Sequence, residues 1–247
     1  MRRLPAGVKL LLFDAGNTLL FVDYPFLAKV ARQVGALSVT AAGIRRAEAA
    51  ARVEVDRLVG QQDGTTDASR WRRYYQVMME VAGVSTAQFE AAVPILQERH
   101  RQVGLWIVVR PWTRHVLGRL RNAGYRMAVV SNADGRVESW LRRKGLSAFF
   151  ETIIDSHVVG IEKPDAGIFR IALERTGVAP EQAIHVGDLY SVDVVGARSA
   201  GVTPVLLDPL GMHPADDCVK IRRLADLVPM LPALGPGREA GKGRADR

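Results

Sequence analysis

Cysteine is nearly missing from this chain: of 247 residues only Cys218 is one. That excludes an intramolecular disulfide framework and fits a reducing compartment. Long apolar runs are missing too, and no stretch approaches the roughly 18–20 residues a membrane span needs. Arg2, Arg3 and Lys9 flank only a short apolar run that soon meets Asp14, so neither a secretory leader nor a membrane partner is expected, and a cytoplasmic location is. Lysine is scarce, with six against 28 arginines. Any lysine set in a loop between apolar segments therefore draws attention.

What is present is a globular composition, 48% apolar, long enough for one large domain or a domain with a smaller insertion. The formal charge is +8, which invites a nucleic-acid reading. The distribution opposes it. Arginines are scattered among glutamates along helical stretches such as "RRAEAAARVEVDR", and no aromatic–basic stacking pattern or zinc spacing accompanies them. No nucleic-acid partner is expected; the basic surface suits attraction of small anionic substrates.

The first strand expected is "VKLLLF" (8–13). Residues 22–108 then repeat apolar side chains at three-to-four spacing in four segments and predict helices without a strand. Thr40, Asp67 and Ser85 are candidate N-caps, and Gly35, Gly60 and Gly83 candidate stops. From Pro111 onward helices alternate with strands at 126–131, 152–155, 183–187 and 203–207, which predicts βα units around a parallel sheet buried on both faces. The fold class is thus α/β, a doubly wound domain (1–21 and 109–231) interrupted by a helical insertion (22–108). Residues 232–247 are expected to form a flexible tail.

In open parallel sheets functional groups gather at the carboxyl ends of strands. Asp14 ends the first strand, Ser131 and Asn132 the second, and Asp188 a later one. Lys163 stands in the loop "GIEKPDAGIF", and Asp193 follows Asp188 by five residues. These residue types suit phosphate. A carboxylate can attack phosphorus as a covalent nucleophile. The approach of two anions needs charge neutralisation, which Mg²⁺ supplies through hard oxygens such as those of Asp14 and Asp188. Ser131, helix amides and Lys163 can hold the non-bridging oxygens. Singly, each element also has a plain reading as a turn, a cap or surface charge. His185 reads as a packed core histidine, and Tyr24, Trp71, Tyr74 and Tyr75 as helix packing.

Taken in order, "LLLFDAGNTLL", "AVVSNADG", "EKPDAGIF" and "HVGDLYSVDVVGARSAG" resemble the motifs of the haloacid dehalogenase-like hydrolases, over about residues 8–230. The resemblance implies a Rossmann-like core with a mobile α-helical cap at 22–108. It implies Asp14 as nucleophile, and Mg²⁺ bound by Asp14, the Gly16 carbonyl and Asp188, with Asp193 supporting the metal site. Ser131 and Lys163 would bind the transferring group, and Asn132 would orient the loop or contact substrate. The substrate implied is a small anionic phosphorylated molecule.

One position departs from that pattern. Family phosphatases usually carry a second aspartate two residues after the nucleophile, as general acid and base; here it is Gly16. Such groups typically supply about 10²–10⁴-fold, so a slowed phosphatase is expected, best suited to esters with good leaving groups. Two alternatives stand beside it. One is a non-catalytic binding protein on the same fold. The other is the family's dehalogenase or phosphonatase chemistry, for which Asp188 and Asp193, and the lone insertion lysine Lys29, are poorly suited. Arg45, Arg46, Arg72 and Arg73 read as solvated helix faces that can also attract anions.

Overall fold

A computed structural model describes residues 4–60, 67–211 and 213–234, leaving aside the side chains of 67–70. In chain order it holds β1 (Leu10–Phe13), β2 (Phe21–Val22), α1 (Tyr24–Gln33), α2 (Ala41–Gly60), α3 (Asp67–Val81), α4 (Thr86–Val103) and β3 (Trp106–Val108). There follow α5 (Thr113–Asn122), β4 (Arg126–Ser131), α6 (Val137–Arg143), β5 (Thr152–Asp155), α7 (Ser156–Val159) and α8 (Ala166–Thr176). The chain continues through β6 (Ala183–Gly187), α9 (Val195–Ser199), β7 (Thr203–Leu207) and β8 (Val219–Ile221).

Six strands form one parallel sheet in the order β5-β4-β1-β6-β7-β8. The chain winds from β1 through β4 to β5 on one side, then from β6 to β8 on the other. The order therefore reverses at β1, where a crevice opens beyond the carboxyl ends of the strands. β1 is four apolar residues, all buried, because both faces of the sheet are covered. Leu11 and Phe13 pack on one face with Val129 and Val186. Leu10 and Leu12 pack on the other with Ala128, Val130 and Phe169.

Helices α1 to α4 enclose an apolar cluster of their own, centred on Leu27, Ile44, Tyr75 and Phe89. Local signals set their ends. Asp23 accepts from Phe26 N ahead of α1, Thr40 from Gly43 N at the start of α2, and Ser85 forms a capping box with Gln88 at α4. Gly35 and Gly83 take positive φ just past α1 and α3, a conformation side chains disfavour. The cap expected at Asp67 lies outside the described side chains. The helices touch the core through Asp56, whose carboxylate accepts from Ser191 N (2.8 Å) and Tyr190 N (3.1 Å).

Three expectations are corrected. The stretch 22–108 is not purely helical: Phe21–Val22 and Trp106–Val108 pair antiparallel, bringing the two chain crossings together. The helix expected between the strands at 183–187 and 203–207 begins as a π-helical turn, Tyr190–Val194, before α9. β8 extends the sheet beyond the expected strands. Of the tail at 232–247, residues 235–247 lie outside the described residues. No helix among those described is long and apolar enough to cross a membrane.

Candidate active site

The strand order places the ends of β4, β1 and β6 side by side, and the expected polar residues converge there. Asp14 follows β1, its amide donating to Val186 O on β6 (2.9 Å). Its Oδ1 accepts from Ser131 Oγ (3.2 Å) and from Lys163 Nζ (2.7 Å). The same ammonium is 2.7 Å from Asp193 Oδ1. Lys163 is 2% exposed, so this is a buried charge matched by two carboxylates rather than a surface lysine. Asn132 clamps its loop: Nδ2 donates to Lys163 O (2.9 Å) and Oδ1 accepts from Lys163 N (2.7 Å). Asn132 thus orients Lys163 through the backbone.

Asp193 is held from three sides, by Lys163, by Leu189 N (3.0 Å) and by His185 Nε2 (2.9 Å). His185 is fully buried against Phe169, and burial lowers its pKa. The neutral ring facing a carboxylate carries its hydrogen on Nε2. Burial pushes Asp193 up, but Lys163 and His185 outweigh it and hold the carboxyl well below the usual range. Lys163 is held above its ordinary value, because Asp14 and Asp193 overcome burial.

Asp188 lies across the crevice. Its Oδ2 accepts from Asn17 Nδ2 (3.3 Å) and is 3.5 Å from Arg52 Nε. Burial, opposed by Arg52 but reinforced by Asp14 and Asp193, pushes its pKa up to about 8. Burial likewise raises Asp14 despite Lys163. Four buried carboxylates, Asp14, Glu48, Asp188 and Asp193, share this region with two cations, Lys163 and Arg52. Buried acidic groups thus outnumber the cations paired with them.

That excess and the donor chemistry fit Mg²⁺, a hard cation that takes oxygen ligands. Among the described residues no three acidic, histidine or cysteine side chains form a metal cage. Mg²⁺ commonly needs only one or two carboxylates beside water and substrate phosphate. Asp14, Asp188 and the Gly16 carbonyl meet that requirement. Gly16 itself is open: an added Cβ would find nothing nearer than 3.8 Å, Asp14 Oδ2 and the Trp106 indole. Its φ lies outside the left-handed region, so the backbone does not demand glycine here.

Several participants carried no distinct sequence signal. Arg52 is one arginine among 28, on a helix face that looks solvated, yet it bridges Glu48 (3.3 Å) and Asp188. Asn17 takes φ 51°, and its side chain meets Tyr74 Oη (2.9 Å) and Trp106 Nε1 (3.1 Å). The "GN" after Asp14 was the available clue, because Asn tolerates that conformation. The reading of Tyr24, Trp71, Tyr74 and Tyr75 as packing is incomplete. Tyr24 and Tyr75 do pack within the helices, but Trp71 and Tyr74 also line the cavity over Asp14. Arg72 and Arg73 pair with Glu90 and Glu54. Arg45 and Arg46 are exposed and border a separate cavity that reaches Asp188. Lys29 is exposed and does not line the cavity over Asp14.

Residues 8–201 match a family model described as haloacid dehalogenase-like hydrolase. Haloacid dehalogenase-like hydrolase domain-containing protein 3 of Homo sapiens is 32% identical over 242 residues, covering 92% of this chain and 94% of that protein. Glyceraldehyde 3-phosphate phosphatase of Methanothermobacter thermautotrophicus is 28% identical over 205 residues, covering 81% and 86%. The crystal structure of a HAD phosphatase from Thermococcus onnurineus superposes with a TM-score of 0.59 at 24% identity, over 92% of this chain and 99% of that one.

Proposed function

This chain belongs to the haloacid dehalogenase-like hydrolases, and we propose that within them it is a Mg²⁺-dependent phosphohydrolase acting on a small phosphorylated molecule through Asp14. The single observation that carries the reading is the excess of buried carboxylates at the crevice: Asp14, Asp188 and Asp193 gather around one ammonium, Lys163, with Arg52 beside Asp188. A divalent cation offsets that excess and lets an anionic phosphoryl group enter the site. A haloacid, which adds one negative charge and needs no cation, does not.

In this mechanism Asp14 attacks phosphorus, forming an Asp14–phosphorus bond as the ester oxygen leaves with its electron pair. Lys163 and Ser131, both within 3.2 Å of Asp14 Oδ1, hold the non-bridging oxygens and the charge of the transition state. Asp14, Asp188 and the Gly16 carbonyl would hold Mg²⁺, which would supply the charge neutralisation needed for the two anions to meet. Asp193 fixes Lys163 and is fixed in turn by His185. Water then cleaves the aspartyl phosphate, restoring Asp14 and releasing inorganic phosphate. No side chain at position 16 protonates the leaving oxygen, so the rate depends on how well that oxygen departs alone. The helices between β2 and β3 act as a cap, contributing Val55, Trp71, Tyr74 and His100 to the cavity wall.

The test is phosphate release from p-nitrophenyl phosphate and glyceraldehyde 3-phosphate, with and without Mg²⁺, by wild type and Asp14→Asn. Metal-dependent release lost in Asp14→Asn supports the reading. Silence on both esters, or halide release from a 2-haloacid without metal, rejects it.

A further inference from the structure

Above Asp14, Ser131 and Lys163 lies a cavity of about 180 Å³. Its far wall is aromatic, built from Trp71, Tyr74, Trp106 and Trp140, with His100 among them. The His100 ring sits between Trp71 (5.9 Å between centroids) and Trp140 (5.7 Å). Its Nε2 is 3.1 Å from Asp134, three residues past Ser131 on the loop after β4. Facing that carboxylate, Nε2 carries a hydrogen. Two polar atoms of this wall, Trp71 Nε1 and His100 Nδ1, are buried with no hydrogen-bond partner among the described residues. Leaving a buried polar atom unpaired costs about 1–3 kcal/mol, so two unpaired atoms on residues that line one cavity point to a ligand that satisfies them.

We propose, building on the phosphohydrolase reading, that the substrate is an aryl phosphate monoester: one aromatic ring seated against these tryptophans, with a polar substituent meeting Trp71 Nε1 and His100 Nδ1. The size agrees, since an apolar cavity of roughly 150 Å³ takes up one benzene ring. Indole and imidazole faces favour an aromatic partner through offset and edge-on packing. The chemistry agrees independently. A phenol ionises near pH ~10, whereas water-like hydroxyls ionise near ~15.7. An aryl oxide therefore leaves without the proton that Gly16 cannot give, and an alkoxide does not. The missing carboxylate and the aromatic wall select the same substrate class.

The experiment is calorimetric titration of Asp14→Asn, with Mg²⁺, by phenyl phosphate, 4-hydroxyphenyl phosphate and glycerol 3-phosphate. It is paired with phosphate release from the same esters by wild type. Both aryl esters should bind at least about ten-fold more tightly than glycerol 3-phosphate. In Trp71→Phe and His100→Leu the affinity of 4-hydroxyphenyl phosphate should fall more than that of phenyl phosphate, because the first loses a polar partner as well as ring packing. Equal binding of phenyl phosphate and glycerol 3-phosphate, with wild type hydrolysing both alike, overturns the substrate assignment and leaves the phosphohydrolase standing. Release from none of the three, with or without Mg²⁺, overturns the phosphohydrolase reading and the assignment together.

Discussion

Arg52 Nε lies 3.5 Å from Asp188 Oδ2 while its Nη2 lies 3.3 Å from Glu48, so one guanidinium ties helix α2 to the end of strand β6. Glu48 in turn accepts from the Tyr24 and Tyr74 hydroxyls at 2.8 Å each. The helices and the sheet thus share a polar network as well as an apolar boundary.

Removing that guanidinium leaves two carboxylates buried with their counter-charge gone. Breaking a buried pair in this way costs about 3–5 kcal/mol. Arg52→Met is expected to lose stability on that scale in urea unfolding, and Glu48→Gln in the same chain to recover part of it. A loss smaller than about 1 kcal/mol would show that the pair contributes little, as surface pairs do.

Position 16 can be refilled. A Cβ there has 3.8 Å of clearance and no left-handed backbone to strain. Gly16→Asp is expected to fold normally and to raise kcat on an alkyl phosphate by about 10²-fold or more, the usual scale of general acid–base catalysis. Its gain on an aryl phosphate should be much smaller, because that leaving group departs unprotonated. Equal gains on both would mean that proton transfer to the leaving oxygen is not what limits the wild type.

The sheet was legible in the sequence because parallel strands buried on both faces are short unbroken apolar runs. "RMAVVS", "TIID", "AIHVG" and "TPVLL" coincide with β4 to β7. Asp14, Ser131, Asn132 and Asp188 followed, since each stands at the end of such a run or just past it. What escaped was short or made by distant contact. β2 and β8 have two and three residues, too few for a period. The turn at 190–194 has the composition of a helix and departs from one only in its hydrogen bonding. Arg52, His100 and Trp140 matter through partners on other elements, and nothing in their own neighbourhoods marks them.

Asp134 gives a pH dependence with a definite sign. Burial pushes its carboxyl up, but His100 and Arg136 outweigh that and hold it well below the ordinary range. A depressed folded-state value means stability that is present above about pH 3.9, the unfolded value, and is lost as pH falls through the folded one. The side chain is 36% exposed, so solvent screening keeps the effect within about 1 kcal/mol. Wild type should exceed Asp134→Asn in urea midpoint near neutral pH, with the gap closing in strong acid. A gap unchanged by acid would assign the difference to packing.

Gly187 offers the sharpest test of how tightly the charged residues are held. It ends β6, one residue before Asp188, and a Cβ there would lie 2.2 Å from Asp193 Cγ and 2.4 Å from its Oδ2. No rotamer of alanine relieves this, because the added atom is fixed to the backbone. Asp193 must move, and with it go its bonds to Lys163 and His185. Lys163 then loses the carboxylate that steadies it beside Asp14. Gly187→Ala is expected to cost about 1–3 kcal/mol through overpacking. Turnover should fall, because the displaced Asp193 no longer steadies the Lys163 ammonium. If activity survives in Gly187→Ala at normal stability, Asp193 does not position Lys163 for catalysis.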